Sequence, residues 1–355
     1  RSNGGSATST TINSGGQQYV SNGGSATSTT INNSASQYVS NGGTATSTTI
    51  NSGGQQFVNS GGTATFITLD GGYLGVTSGA TVRSATISNS AGYLSVGKGA
   101  TITDTTVESG RLVLSKSAVA DGKTQINAHG QLSMPGNSLA RDVNVAGGEI
   151  SIYDYESDPI QIDKLTMDSG NVSFWRYYTG GGNNNPNFSK LNISELSGSG
   201  NFLFNTSLAE RNSNFVTIEQ GSGHFGIAVT DSGKEISDHT DLTVNLIHEH
   251  GGDINFEMVT ASGRSTRAVD GGTYMYTLFS QQNKDGLNGG NVWYLGAMTD
   301  EPGGGENPGG GENPGGGENP GSSENPGGGE NPGGGENPGG GENPGGSDNG
   351  NTGGN

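Results

Sequence analysis

Ser2–Val20 reads SNGGSATSTTINSGGQQYV and Ser40–Val58 reads SNGGTATSTTINSGGQQFV. The two differ only at Ser6/Thr44 and Tyr19/Phe57, and a looser copy, Ser21–Val39, lies between them. Copies that begin at Ser2, Ser21 and Ser40 set a period of 19 residues. A period of that length marks an architecture whose units bury their apolar faces only against neighbouring units.

The isoleucine of each copy serves as an anchor. Ile12, Ile31 and Ile50 continue as Leu69, Ile87, Val107, Ile126 and Val145 after the obvious identity has faded. Two residues before each anchor lie Thr10, Thr29, Thr48, Ile67, Ala85, Thr105, Thr124 and Val143. These positions alternate around one residue, as a half-buried strand requires. Seven residues after the anchors lie Tyr19, Tyr38, Phe57, Val76, Leu94, Leu114 and Ile152, with Ser133 the misfit. Gly, Asn and Ser fill the gaps, which is turn chemistry. One period therefore holds two or three short strands separated by corners. The pattern predicts an all-β fold, a right-handed parallel β-helix of about 19 residues per coil, with inward ladders of Ile, Ala, Thr and aromatics.

Composition agrees with a thin core. The chain has 355 residues, 28% of them hydrophobic, with 68 glycines and no cysteine. Neither disulfides nor thiolate metal sites contribute. The formal net charge is −18. Ten of the 33 acids lie in residues 300–355, where no Lys or Arg occurs, so the rest carries 15 bases and 23 acids. That balance argues against duplex nucleic acid as a partner. No run of 18 apolar residues would span a membrane as a helix. Arg1 falls at the edge of a repeat, and the chain reads as a piece of something longer.

Three regions follow. Residues 1–152 are regular repeats. Residues 153–299 keep strand-like runs but lose the strict spacing, and at one coil per 19–20 residues, with insertions allowed for, the whole holds on the order of 14 coils. This region ends in Gly271–Phe279 and Asn291–Gly296, read as a Tyr- and Trp-rich hairpin with its turn at Lys284–Gly290. Such a hairpin would cap the solenoid. Residues 300–355 repeat PGGGEN and hold eight of the 11 prolines. With nothing apolar to bury and charge of one sign, this linker is expected to be disordered.

The repeat, the YTLF and NVWYLG segments (Tyr276–Phe279, Asn291–Gly296) and the Pro/Gly/Glu/Asn linker, in that order, resemble the secreted passenger of self-associating autotransporters. These are the AIDA-type adhesins and autoaggregating antigens of Gram-negative bacteria. The linker is most similar to that of glycosylated members that also act as invasins. The resemblance covers essentially the whole chain. It implies export through the periplasm to the bacterial surface, by an outer-membrane β-barrel that would follow residue 355, or release into the medium. It also implies host-cell adhesion and invasion through a receptor, self-association, biofilm formation and virulence. The NVWYLG region corresponds to an autochaperone end. A heptosyltransferase is implied as the modifying partner, adding O-linked heptose to serines at corners. The matching positions are Ser14, Ser21, Ser40 and Ser52, with looser matches at Ser34, Ser60, Ser78, Ser90 and Ser109. The plain alternative is that these serines only make turns.

Other chemistry is weaker. Some β-helix proteins are polysaccharide lyases or hydrolases, so a carbohydrate-active enzyme is the competing function. It would need paired carboxylates on one face. The candidates, Asp154, Glu156 and Asp158, sit before Pro159 and read as a solvated loop. His248 and His250 alternate, yet no third ligand for a metal is evident, and the stretch reads as an exposed strand end. No nucleophilic triad and no cofactor motif is read, so catalysis is not expected. Trp175, Arg176, Tyr177 and Tyr178, at the start of an inserted Gly/Asn loop, are a candidate contact loop, since exposed aromatics and arginine are common contact residues.

Overall fold

The computed structural model describes residues 4–153, 158–175 and 188–298, all within one compact unit. The linker and its expected disorder therefore lie outside the described residues, as do Asp154, Glu156, Arg176, Tyr177 and Tyr178.

The described chain winds as a parallel β-helix. Ser6–Thr8, Thr11–Ile12 and Gln17–Val20 form the first coil, and each pairs parallel and in register with its copy one repeat later. From Thr101 onward the short strands fuse around the corners into runs such as Thr101–Leu114 and Val119–Met134. The anchors stack as read. Ile12, Ile31, Ile50, Leu69, Ile87, Val107, Ile126 and Val145 form one buried column, which continues to Met167. Followed through its in-register partners, this column passes Gly198, continues beside Gly223 between the pairs Leu196–Gly221 and Ser199–His224, and ends at Ile254. The coils are thus twelve among the described residues, fewer than the spacing suggested, because later steps such as Met167 to Gly198 and Gly223 to Ile254 are longer than the allowance made for insertions.

The column seven residues after the anchors does not stack as expected. Tyr19, Tyr38 and Phe57 point outward, and Gln18, Gln37, Gln56 with Val20, Val39, Val58 point in. In the register, Leu74 lies over Gln56 and Val76 over Val58. The corner after the anchor changes length: Gln56 follows Ile50 by six residues, Leu74 follows Leu69 by five, and Leu94 follows Ile87 by seven. A slip of one residue in a strand exchanges its two faces. A fixed count from the anchor therefore assigns the wrong face wherever the corner is not the reference length. The outward rings form their own stack: Tyr19 to Tyr38 at 4.9 Å, Tyr38 to Phe57 at 5.3 Å, and Tyr73 to Tyr93 at 5.7 Å between centroids.

The inward glutamines form a hydrogen-bonded ladder. Gln37 Nε2 donates to Gln18 Oε1 at 2.8 Å, and Gln56 Nε2 donates to Gln37 Oε1 at 2.7 Å. The buried hydroxyls of Thr29 and Thr48 accept from Gln37 and Gln56, each at 3.4 Å. Gln56 Oε1 ends the ladder without a partner, because the next coil offers Leu74. Toward the C-terminal side the interior becomes aliphatic, then aromatic: Phe202 meets Phe225 edge-on at 5.8 Å, and Phe256 meets Trp293 at 5.1 Å.

Parallel winding ends in one last coil, made of Gly252–Met258, parallel to Gly221–Ile227, and of Thr243–Glu249. One edge of Thr243–Glu249 pairs parallel with Val216–Ile218, the other antiparallel with Asn291–Ala297. Asn291–Ala297 forms a hairpin with Met275–Gln282, joined through a 3₁₀ turn at Lys284–Gly286. The two-residue strand Val269–Asp270 closes the edge, and an edge this short offers little for another chain to pair with.

Candidate functional site

The candidate serines fall on two corners of the coil. Ser14, Ser34, Ser52, Ser90 and Ser109 follow the anchor strand, while Ser21, Ser40, Ser60 and Ser78 follow the Val20-type strand. Six of them, Ser14, Ser34, Ser52, Ser60, Ser78 and Ser90, are exposed at turn positions. Ser21 and Ser40 are half-buried and precede their turns, where Asn22 and Asn41 take the exposed tip. Ser109 is half-buried inside Thr101–Leu114. At the first corner, side-chain amides tie successive coils. Asn32 Nδ2 donates to Asn13 Oδ1 at 3.0 Å, Asn51 to Asn32 at 2.8 Å, and Asn89 to Asp70 at 3.2 Å. These bonds hold the corners in vertical register and leave the neighbouring hydroxyls facing water.

A third corner went unread in the sequence. Ser9, Ser28, Ser47, Phe66, Ser84 and Asp104 have φ of 54°, 58°, 58°, 57°, 58° and 56°. They bend each coil in the left-handed region, which favours Gly, Asn and Asp. The signal was the Thr-Ser-Thr triplet of the repeat (Thr8-Ser9-Thr10), hidden because serine rather than glycine makes the bend. Ser9, Ser28 and Ser47 are exposed. Phe66 is the odd member, a strained aromatic at 60% exposure.

Between corners, Thr11, Thr30, Thr49, Thr68, Thr86 and Thr106 form an outward column in register. Identical hydroxyls therefore recur at each strand spacing of about 4.8 Å. Trp175 is 58% exposed and is the one residue of the candidate contact loop that is described.

The enzyme candidates do not assemble among the described residues. Asp158 accepts from Asn137 at 3.1 Å and pairs with Lys116 at 3.1 Å, which ties two corners. His248 and Glu249 are buried, correcting the expected exposed strand end, while His250, just past the strand, is exposed as expected. His248 Nε2 lies 2.8 Å from the Gly289 carbonyl, and Glu249 Oε1 accepts from Asn291 at 2.9 Å. Both side chains are used to seat the cap hairpin. Burial pushes the Glu249 carboxyl up, against the opposing effects of Asn291, His248 and His250.

Fold and surface together define a β-solenoid that presents the same polar groups at coil after coil. Residues 2–54 match a family model described as "Adhesin of bacterial autotransporter system, probable stalk", and residues 162–297 match the Pertactin model. The chain thus carries an AIDA-type autotransporter stalk segment followed by a pertactin-type segment, in keeping with the resemblance carried by the repeat. A curated relative, "Probable autotransporter YpjA" of Escherichia coli (strain K12), is 32% identical over 126 residues, which span 35% of this chain and 8% of that relative. Among solved structures, a TibC-catalysed hyper-glycosylated TibA fragment is similar at TM-score 0.43 and 22% identity, over 74% of this chain and all (100%) of that one. The Haemophilus influenzae Hap adhesin is similar at TM-score 0.40 and 16% identity, over 81% of this chain and 33% of that one.

Proposed function

We propose that this chain is part of the surface-exposed passenger of an autotransporter adhesin. It acts by binding rather than by catalysis, in host-cell adhesion and invasion, in autoaggregation and in biofilm formation. One observation carries the reading: outward Thr, Ser and Asn recur in register on successive coils, so a weak polar contact is repeated many times along one face. Linked weak contacts multiply into avidity. A second copy of the chain, which repeats at the same spacing, is the natural partner for such a face. Replacing Thr30, Thr49 and Thr68 together by Asp puts like charges on both copies, and settling of cells that display the chain is the readout. Loss of settling supports the reading, and unchanged settling refutes it.

The exposed corners also suit O-heptosylation by a dedicated heptosyltransferase. Access favours Ser14, Ser34, Ser52, Ser60, Ser78 and Ser90 over the half-buried Ser21, Ser40 and Ser109. The same criterion adds Ser9, Ser28 and Ser47, on the left-handed corner. Intact-mass and peptide mass spectrometry, with and without an active transferase, tests this. Additions in heptose steps on these corners are expected, and no added mass with active enzyme rejects the modification.

A further inference from the structure

A cavity of about 440 Å³ lies beside the cap, between the turn that carries Glu210 and Arg211 and the hairpin turn that carries Asp285. Its volume is within the range of about 300–1,000 Å³ common for small-ligand sites. The polar groups in its wall are held in place before any ligand arrives. Arg211 Nη1 is 3.0 Å from Asp241 Oδ2, and Asp241 Oδ1 accepts from the Thr243 amide at 3.1 Å and hydroxyl at 2.7 Å. Asp285 Oδ2 accepts from Asn245 Nδ2 at 3.1 Å and from Lys284 Nζ. Lys284 is buried beneath this wall. Its ammonium also donates to Asn245 Oδ1 at 2.9 Å and lies 4.6 Å from the Tyr294 ring centroid.

One wall residue pays for its position. Arg211 has φ of 50°, in the left-handed region that glycine would occupy without strain and that Asp285, at 53°, tolerates. Strain retained in the wall of a cavity is a pointer to function.

The lining also sets the class of ligand. Lys190 and Arg211 face the same space as Glu210, Asp241 and Asp285. An anion meets three carboxylates there, and a cation meets two basic groups. A neutral polyhydroxylated ligand is opposed by neither, because its hydroxyls donate to carboxylates and accept from the bases, in bonds strengthened by the protein's charges. Phe215 and Leu287, both half-exposed, add apolar surface for a C–H face. We propose that this cavity binds a neutral saccharide of about one or two sugar rings. The site is discrete and does not depend on the self-association reading.

Saturation-transfer difference NMR on the whole chain tests it, with lactose, maltose and N-acetyllactosamine at about 10 mM, a concentration that detects millimolar binding. The anionic probe is sialyllactose and the cationic one glucosamine. At least one neutral sugar should give a signal, and Arg211→Gly and Lys190→Ala should each weaken its affinity by about tenfold or more, as loss of a charged hydrogen-bond partner implies. Arg211→Gly relieves backbone strain, so its melting temperature should not fall, and lost binding cannot then be put down to misfolding. Silence from every neutral sugar overturns the proposal. So does an unchanged signal in both variants, or a preference for the charged probes.

Discussion

Replacing Gln37 with leucine cuts the buried amide ladder at its middle. Two ladder bonds of 2.7 and 2.8 Å vanish, as does the contact to Thr29. Gln56 Nε2 keeps only the weak 3.4 Å bond to Thr48. Leaving one buried polar group short of its partner costs about 1–3 kcal/mol. Leucine recovers part of this, since roughly one extra buried methyl-sized group contributes about 0.8 kcal/mol. The single variant should therefore lose about 0.2–2 kcal/mol. A five-fold variant behaves differently. With Gln18, Gln37 and Gln56 made Leu, and Thr29 and Thr48 made Val, no buried polar group is orphaned. The column then matches Leu74, Leu94 and Leu112 in the coils that follow. Removing both sides of a buried hydrogen bond is often neutral or stabilising, so the five-fold variant should equal or exceed the parent. Because coils of a solenoid can open separately, hydrogen exchange at the amides of Ser36–Val39 and Gln55–Val58 is the appropriate assay; it reports local opening free energies. A single variant as protected as the parent, or a five-fold variant less protected than the single one, refutes the ladder argument.

Phe66→Asn should raise the melting temperature, since asparagine tolerates the left-handed corner that costs other L-residues about 1–2 kcal/mol; a lower melting temperature would show that the ring packs usefully. Gly223→Ala should cost about 3 kcal/mol or more in thermal unfolding, because Gly223 has φ of 107° and an added Cβ would overlap the Gly198 carbonyl oxygen. Glu249, whose carboxyl burial pushes up, gives a pH dependence of definite sign. A folded pKa above the ordinary 4.5 means that the folded chain binds the proton more tightly, so this group's stabilisation is complete below 4.5 and is lost as pH rises through the raised value. Glu249→Gln should flatten that fall in a pH series of melting temperatures and leave the chain more stable at neutral pH. Asp285, held below its ordinary 3.8 chiefly by the hydrogen bond from Lys284, acts in the opposite sense and weakens the fold as pH drops through the acid range.

The winding was legible because a single column, from Ile12 to Val145, keeps its apolar character while everything around it drifts. What escaped was local. The faces of Tyr19, Tyr38 and Phe57 depend on the number of residues in a corner, and that number changes between Ile50 and Leu69 without disturbing the anchor. The left-handed corner escaped because Ser9, Ser28 and Ser47 carry no glycine signature, and only Phe66 at the equivalent place betrays the strain. The saccharide cavity could not be read at all. Lys190, Arg211, Asp241 and Asp285 are far apart in sequence, belong to no motif, and meet only because the antiparallel cap folds back on the last coils. The serine corners lay between these extremes: the turns were plain in the repeat, but which hydroxyls face water depended on side-chain packing.

The claim beneath all of this is that every coil returns to the same place one strand spacing further on. Nitroxide pairs on the outward column test it, and the absence of native cysteine makes the labelling unambiguous. Thr30 and Thr106 are separated by four in-register steps, and Thr30 and Thr166 by seven. At about 4.8 Å per step, pulsed electron–electron resonance should give about 19 Å and about 34 Å. Distances that rise in proportion to the number of coils support the account; a second distance equal to or shorter than the first contradicts it.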